Sequence, residues 1–168
     1  MFTIFRQDLA RNLADYGDRS PLSRFFLALT LNSVHAVALI RFQFWCRRHR
    51  LPTIFAAKPL FWFFKIEISS QSAIGPGLRL PHPMGIIIAP HSSVGANCDL
   101  YADVRLVLAH GRKEGPQLED GVFMGDGAKA VGAVRIGAGA VIGVSAVVTK
   151  NIPPNVRAAG VPARVLNS

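Results

Sequence analysis

From Ile68 to the C-terminus the sequence repeats with a period of six residues. The apolar anchors of this repeat resume in frame after a two-residue insertion and a longer loop: Ile68, Ile74, Leu80, Ile88, Val94, Leu100, Leu106, Leu118, Met124, Ala130, Ile136, Ile142 and Val148. A six-residue repeat is typical of a β-helix, in which each hexad forms one short strand and one corner. Three hexads then close a triangular coil. We therefore predict a mainly β solenoid over residues 66–168; the period leaves its handedness open.

Residues 1–65 follow a helical pattern instead. Apolar residues recur there at three- and four-residue steps, at Phe2, Phe5, Leu9 and Leu13. The apolar run 25–40 is interrupted by polar residues and is shorter than the about 20 residues that cross a bilayer. Pro52 follows a cluster of cations, which indicates a helix end. We predict a short α-helical region before the β-helix domain.

The helical region is strongly basic. It holds ten of the 19 lysines and arginines but three of the ten acidic residues. Such an excess indicates an anionic neighbour. Phe61, Trp62, Phe63 and Phe64 lie between Lys58 and Lys65, which suits a membrane interface and suits a helix packed on another domain equally well. We expect residues 1–65 to serve either membrane-surface contact or assembly.

The remaining composition favours a cytoplasmic protein, which the basic region would place at the inner membrane. Cys46 and Cys98 lie far apart without metal-ligand spacing, as in a reduced protein. The first twenty residues mix charged and apolar positions, so no cleavable signal peptide is predicted. No nucleic-acid partner is expected.

His82 stands between Pro81 and Pro83. Each proline fixes its own φ and restricts the residue before it, so the backbone at His82 has little freedom. A reacting imidazole needs such a setting. A rigid corner of a structural repeat has the same features, and the local sequence leaves both readings open.

The stretches "KIEISSQSAIGPGLRLPHPMGIII" and "IGAGAVIGVSAVVTKNIPPNVRAAGVPARVL", together with the hexads, resemble the left-handed β-helix acyltransferases. The order of features is similar to the serine acetyltransferase branch over residues 55–168. This resemblance implies a left-handed coil, assembly as a homotrimer or a dimer of trimers, and acetyl-CoA as co-substrate without a metal ion.

The resemblance also implies roles for individual residues. His82 matches the catalytic base of the family, and Glu67, fifteen positions upstream, matches the acid that orients it, with Glu in place of the usual Asp. A backbone N–H at a glycine-rich corner, such as Gly85, would stabilise the oxyanion. His110 lies in the loop that would border the substrate.

Six further residues match the coenzyme-binding positions of the family. Asp126, Val144 and Ser145 would line the pantetheine arm. Thr149, Lys150 and Arg164 would reach the nucleotide end. Lysine and arginine suit phosphate groups. Solvated C-terminal charges are the other explanation for Lys150 and Arg164.

Two departures from the family pattern concern the acceptor. Pro81 replaces the acid that precedes the histidine, and Gly115 stands where the loop usually carries a histidine. Because a serine zwitterion needs both an anion and a cation, these losses disfavour serine. The "LPHP-x-G" variant resembles relatives in polysaccharide gene clusters, and this resemblance implies a sugar hydroxyl in polysaccharide or glycan biosynthesis as the acceptor. The alternatives are a serine O-acetyltransferase, a non-catalytic β-helix scaffold, and a zinc enzyme using His82, His91 and His110, whose spacing lacks the expected close pair.

Overall fold

The computed structural model describes residues 2–17 and 20–166. Within them, four α-helices precede the β structure: α1 Phe2–Leu13, α2 Pro21–Thr30, α3 Asn32–Arg48 and α4 Ile54–Phe64. A 3₁₀ turn, Ala14–Tyr16, follows α1. The chain changes from helix to strand between Phe64 and Glu67.

Short strands, numbered in chain order, then form three sheets. The first sheet contains β1 Glu67–Ile68, β3 Ile87–Ile88, β6 Arg105–Val107, β9 Lys129–Val131 and β12 Val147–Val148. The second contains β2 Ala73–Ile74, β4 Ser93–Val94, β7 Gln117–Leu118 and β10 Arg135–Ile136. The third contains β5 Asp99–Leu100, β8 Phe123–Met124, β11 Val141–Ile142, β13 Arg157–Ala159 and β14 Arg164–Val165. All pairs are parallel except β13 with β14, so the chain winds around a triangular prism.

The hexad anchors fill the inside of this prism, which confirms the predicted solenoid. Ile88 pairs with Leu106, three hexads further along. Every predicted anchor is buried except Ile74, which is half-buried. The small residues at the fifth hexad position, such as Cys98 and Ala140, are buried as well. The residues that recur with the six-residue period are therefore those on the inward face of each coil.

Polar side chains of α1 close the open end of the coil. The buried residues of α1 include Asp8 and Asn12, whereas Phe2 is 77% exposed, contrary to the apolar stripe expected from the sequence. Asn12 donates to Leu78 C=O at 2.9 Å and accepts from Leu80 N–H at 3.1 Å. The first coil has no preceding coil to pair with, so its backbone groups need such partners.

Helix α3 completes this cap. The Arg41 guanidinium donates to Ile74 C=O at 2.8 Å and to Gly75 C=O at 2.6 Å. Gln43 donates to Ile68 C=O at 2.6 Å. The helices are thus held to the β-helix by side-chain bonds to backbone carbonyls.

The apolar run that begins at Phe25 is divided between α2 and α3. Leu31 between them has an extended backbone, φ −81° and ψ 120°. Among the described residues no helix alone has the length and apolar composition to cross a bilayer. In this part of the chain only the pair of α2 and α3 together reaches that length and composition, and the two helices are bent by 75° at the break between them.

Candidate active site

His82 lies on the corner 81–86, which joins the third sheet to the first. This corner is two residues longer than the corner 101–104 of the next coil. Met84 N–H donates to His82 C=O at 2.8 Å, which closes a tight turn around the buried Pro83. The insertion therefore anchors the proline inside and presents the imidazole to solvent.

The same corner requires a glycine at Gly85. Its φ is +70°, and a Cβ there would meet the carboxylate of Asp103. The Gly85 N–H donates to Phe64 C=O at 3.0 Å. Because this donor is already engaged, it does not fit the predicted role at the oxyanion, and that donor has to come from another group.

An aromatic contact orients the imidazole. The His82 ring lies edge-on to Tyr101, with ring centroids 5.9 Å apart, and Tyr101 lies 5.0 Å from the Phe123 ring. Such pairs contribute about 0.5–1.5 kcal/mol beyond burial. Sequence analysis did not identify Tyr101; the available signal was an aromatic residue about one coil after the histidine.

Glu67 is exposed on β1, beside a cleft that Gln43 and Lys58 also line. In the part of the chain that the structure describes, no hydrogen bond or ion pair joins Glu67 to His82. The predicted pair is therefore not joined within one chain, and the imidazole contacts the Tyr101 ring instead.

Four corners join the third sheet to the first and stack on one another. We call them the His82 column: residues 81–86, 101–104, 125–128 and 143–146. Backbone bonds of 2.8 Å connect them, as between Ser145 N–H and Asp126 C=O. The predicted pantetheine residues Asp126, Val144 and Ser145 all lie in this column, and Val144 is 67% exposed. With coils about 4.8 Å apart, Ser145 lies about 14 Å along the axis from the His82 corner.

The other predicted residues lie elsewhere on the prism. The corners that join the first sheet to the second form the loop column: residues 69–72, 89–92, 108–116, 132–134 and 149–151. His110, Thr149 and Lys150 are exposed in this column, and Arg164 is exposed on β14. One chain therefore does not bring them to His82. They would meet it only where the loop column of one copy faces the His82 column of another.

A charged pair beside the His82 corner was missed by sequence analysis. Asp103 and Arg105 lie 3.7 Å apart, with side chains 63% and 44% exposed. The Asp103 N–H donates to Met84 C=O at 2.8 Å, which holds this pair against the corner. Sequence analysis examined only the position before His82 and the loop, whereas these charges come from the next coil.

The described residues contain no group of three histidine, cysteine or acidic side chains close enough to hold a metal ion. His91 lies in the loop column with His110, apart from His82.

No protein-family model matches the chain. The serine acetyltransferase of Escherichia coli strain K12 is 32% identical over 142 residues, covering 82% of this chain and 52% of that protein. The serine acetyltransferase of Synechococcus elongatus is 31% identical, covering 89% of this chain and 64% of that protein. The crystal structure of serine acetyltransferase from Brucella abortus superimposes with a TM-score of 0.87 at 27% identity, covering 99% of this chain and 69% of that one.

These relatives show that the predicted sugar acceptor in polysaccharide biosynthesis is wrong, and they support the serine alternative. The prediction took Pro81 and the short loop as a loss of charge, but Asp103 and Arg105 keep both charges beside the same corner. The chain spans about half the length of the E. coli relative, so the whole activity of that protein does not transfer by similarity alone. The sequence identity and the shared solenoid do show that the chain belongs to the hexapeptide-repeat acyltransferases with a left-handed β-helix, of the serine acetyltransferase type.

Proposed function

We propose that this chain is an acetyl-CoA-dependent serine O-acetyltransferase. The observation that carries the proposal is the exposed His82 at a corner beside which the Asp103–Arg105 pair of the next coil lies. The imidazole suits removal of a hydroxyl proton, and the two opposite charges suit an amino acid.

The acceptor would be held by its two charged groups. The Asp103 carboxylate meets the serine ammonium, and the Arg105 guanidinium meets the serine carboxylate with paired N–H donors. Because the charges lie 3.7 Å apart, one small zwitterion can bridge both and displace their mutual contact. Its hydroxyl then points along the corner toward His82.

His82 acts as general base. It takes the proton from the serine hydroxyl while the hydroxyl oxygen attacks the thioester carbonyl carbon. As the new C–O bond forms and the C–S bond breaks, the imidazolium returns that proton to the departing thiolate. The role of Glu67 in orienting His82 stays a prediction. It requires that a contact between Glu67 and His82 forms when the acceptor is bound.

The coenzyme would lie between two copies of the chain. Asp126, Val144 and Ser145 of one copy would line the pantetheine arm along the His82 column. The loop column and C-terminal strand of the next copy would add His110 beside the acceptor and Thr149, Lys150 and Arg164 near the phosphates. A cyclic homotrimer pairs these two columns three times, and stacking of two trimers stays a prediction.

The test is thiol release from acetyl-CoA with serine, threonine and free sugars as acceptors. We expect saturable turnover with serine, with the KM for serine rising at least about tenfold in Asp103→Asn and in Arg105→Gln, the scale of a lost charged hydrogen bond. Arg157→Gln removes an exposed cation on β13 and is the matched control. Turnover that favours a sugar over serine, or variants with unchanged KM, would overturn the proposal. Light scattering at a mass three times 18.2 kDa would support the trimer.

A further inference from the structure

Helix α4 has one buried side and one exposed apolar side. Ala56, Leu60 and Phe64 recur at four-residue steps and pack inward. The residues on the opposite side, which we call the α4 face, are Ile54, Phe55, Lys58, Phe61, Trp62 and Lys65. A helix with this arrangement has a second surface that the described chain leaves uncovered.

The apolar residues of the α4 face are large and open to solvent. Phe55 is 69% exposed, Trp62 is 64% exposed and Ile54 is 53% exposed. The Lys65 ammonium lies 5.2 Å from the centre of the Phe61 ring, so charge and aromatic surface adjoin. Single exposed apolar residues need no explanation, but a continuous group on one helix face indicates a binding surface.

The α4 face itself carries positive charge. The exposed Glu67 lines a cleft together with Lys58 and Phe61 but forms no ion pair with Lys58 or Lys65. Asp8 and Asp15 of the helical region are already in ion pairs, with Arg41 at 2.7 Å and with Arg79 at 2.6 Å. Lys58 and Lys65 of the α4 face form no ion pair with any residue that the structure describes. The same holds for the exposed arginines that precede α4 in the chain, Arg47, Arg48 and Arg50. An anionic partner would therefore meet free positive charge.

We propose that the α4 face binds an anionic lipid surface. Tryptophan and phenylalanine prefer the headgroup region of a bilayer, and flanking lysines reach the phosphates. The helix has 11 residues and is about 16 Å long, about half the hydrocarbon thickness, so it lies in the plane of the interface. This binding is independent of acetyl transfer and would hold the protein at the membrane surface.

A second copy of the chain fits this face less well. In a two-fold symmetric contact the same patch faces itself, so the positive charges of Lys58 and Lys65 would be brought close to those of the copy. Lysine is also depleted from the cores of protein interfaces. An anionic lipid surface combines negative charge with an apolar layer, as the α4 face combines positive charge with apolar side chains. Because of this complementarity we favour the lipid surface over a second copy.

Vesicle flotation with the full chain tests the proposal. One set of vesicles contains phosphatidylcholine alone and the other contains about 30% phosphatidylglycerol, which gives the surface a negative potential. We expect the protein to float with the anionic vesicles at low salt and to be released at high salt. Quenching of Trp62 by lipid brominated near the headgroup end of the acyl chain, absent in Trp62→Phe, would place the helix face at the headgroup–acyl boundary.

Matched variants separate the two contributions. Lys58→Gln with Lys65→Gln should lower the partition coefficient about 25-fold, about fivefold for each lysine. Phe55→Ser with Trp62→Ser should abolish flotation. Lys113→Gln with Arg157→Gln removes the same charge from exposed positions of the β-helix and should leave flotation unchanged. All the substituted side chains are exposed, and unchanged thermal unfolding checks that the fold is retained.

Three results would overturn the proposal. The first is that the wild-type protein stays in solution with anionic vesicles at low salt. The second is that both α4 variants float like the wild type. The third is that Phe55→Ser with Trp62→Ser lowers the oligomeric mass measured by light scattering, because this face would then be a contact between copies.

Discussion

Asp8 on the first helix and Arg41 on the third form a buried, two-pronged ion pair, with N–O distances of 2.7 and 3.0 Å. Asp8 also accepts from the Leu78 N–H at 2.9 Å, while Arg41 donates to Ile74 and Gly75. Both carboxylate oxygens of Asp8 and most N–H donors of Arg41 thus form hydrogen bonds, either with each other or with the backbone of the first coil. This pair fixes the helical region on the end of the solenoid.

Removing one partner should therefore be costly. We expect Asp8→Ala to lower the free energy of unfolding by about 3–5 kcal/mol, because it leaves the buried Arg41 cation uncompensated. Asp15→Ala is the control. Its side chain is 58% exposed in the pair with Arg79, so the expected loss is below about 1 kcal/mol. Equal shifts of the urea midpoint in the two variants would show that the Asp8–Arg41 pair contributes no more to stability than the exposed Asp15–Arg79 pair.

The catalytic role of His82 is tested by His82→Asn. We expect at least about a hundredfold loss of kcat, the scale of a general base, with unchanged thermal unfolding. His91→Asn is the matched control: His91 is exposed and has φ +57°, a conformation that asparagine tolerates. Near-normal turnover by a folded His82→Asn variant would remove His82 from the mechanism.

Tyr101 should affect the rate through His82. Tyr101→Leu removes the ring contact and should lower kcat about 2- to 10-fold, the equivalent of one aromatic pair, with an unchanged KM for acetyl-CoA. Tyr101→Phe keeps the ring and should retain the wild-type kcat. A rate loss in Tyr101→Phe equal to that in Tyr101→Leu would show that the hydroxyl, not the ring contact, is needed.

The cysteines should be inert in the folded protein. Burial raises the pKa of the Cys98 thiol from 9.0 to about 11, and Cys46 is buried as well. At pH 8 we expect no reaction with iodoacetamide until the chain unfolds, when both thiols react. Because the unfolded thiol ionises first, the contribution of Cys98 to stability is present below pH 9.0 and falls toward pH 11. Rapid labelling of the native protein would contradict this burial.

Glu119 should contribute to stability in acid. A hydrogen bond from the Ala138 N–H, at 2.8 Å, and the Arg135 guanidinium hold the pKa of Glu119 below its ordinary 4.5. The contribution is therefore present above pH 4.5 and is lost as the pH falls through the lowered pKa. Glu119→Gln should flatten the acid limb of the pH–stability curve, and Glu114→Gln, in an exposed loop, should leave it unchanged.

The acceptor shows how one position can mislead. Pro81 by itself suggests that the charge beside the histidine is lost, and that suggested a sugar. In the folded chain Asp103 comes from the next coil and lies against Gly85. The neighbours of a site residue in a solenoid include those one coil away, so a local substitution does not describe the whole site.

The sequence by itself determined the solenoid and its inward face, because every coil repeats the same contact and the repeated contact leaves a period of six. It also determined that α1 is a helix, but the apolar steps did not give its buried face, which includes Asp8 and Asn12. Only the tertiary structure decided the Asp8–Arg41 pair, the contact of His82 with Tyr101 and the charged pair beside Gly85. The first two contacts join residues whose separation depends on helix docking or on an insertion. Asp103 and Arg105 are close in the chain, but their place beside Gly85 depends on how one coil stacks on the next. Each arrangement occurs once, and a contact that occurs once leaves no period in the sequence.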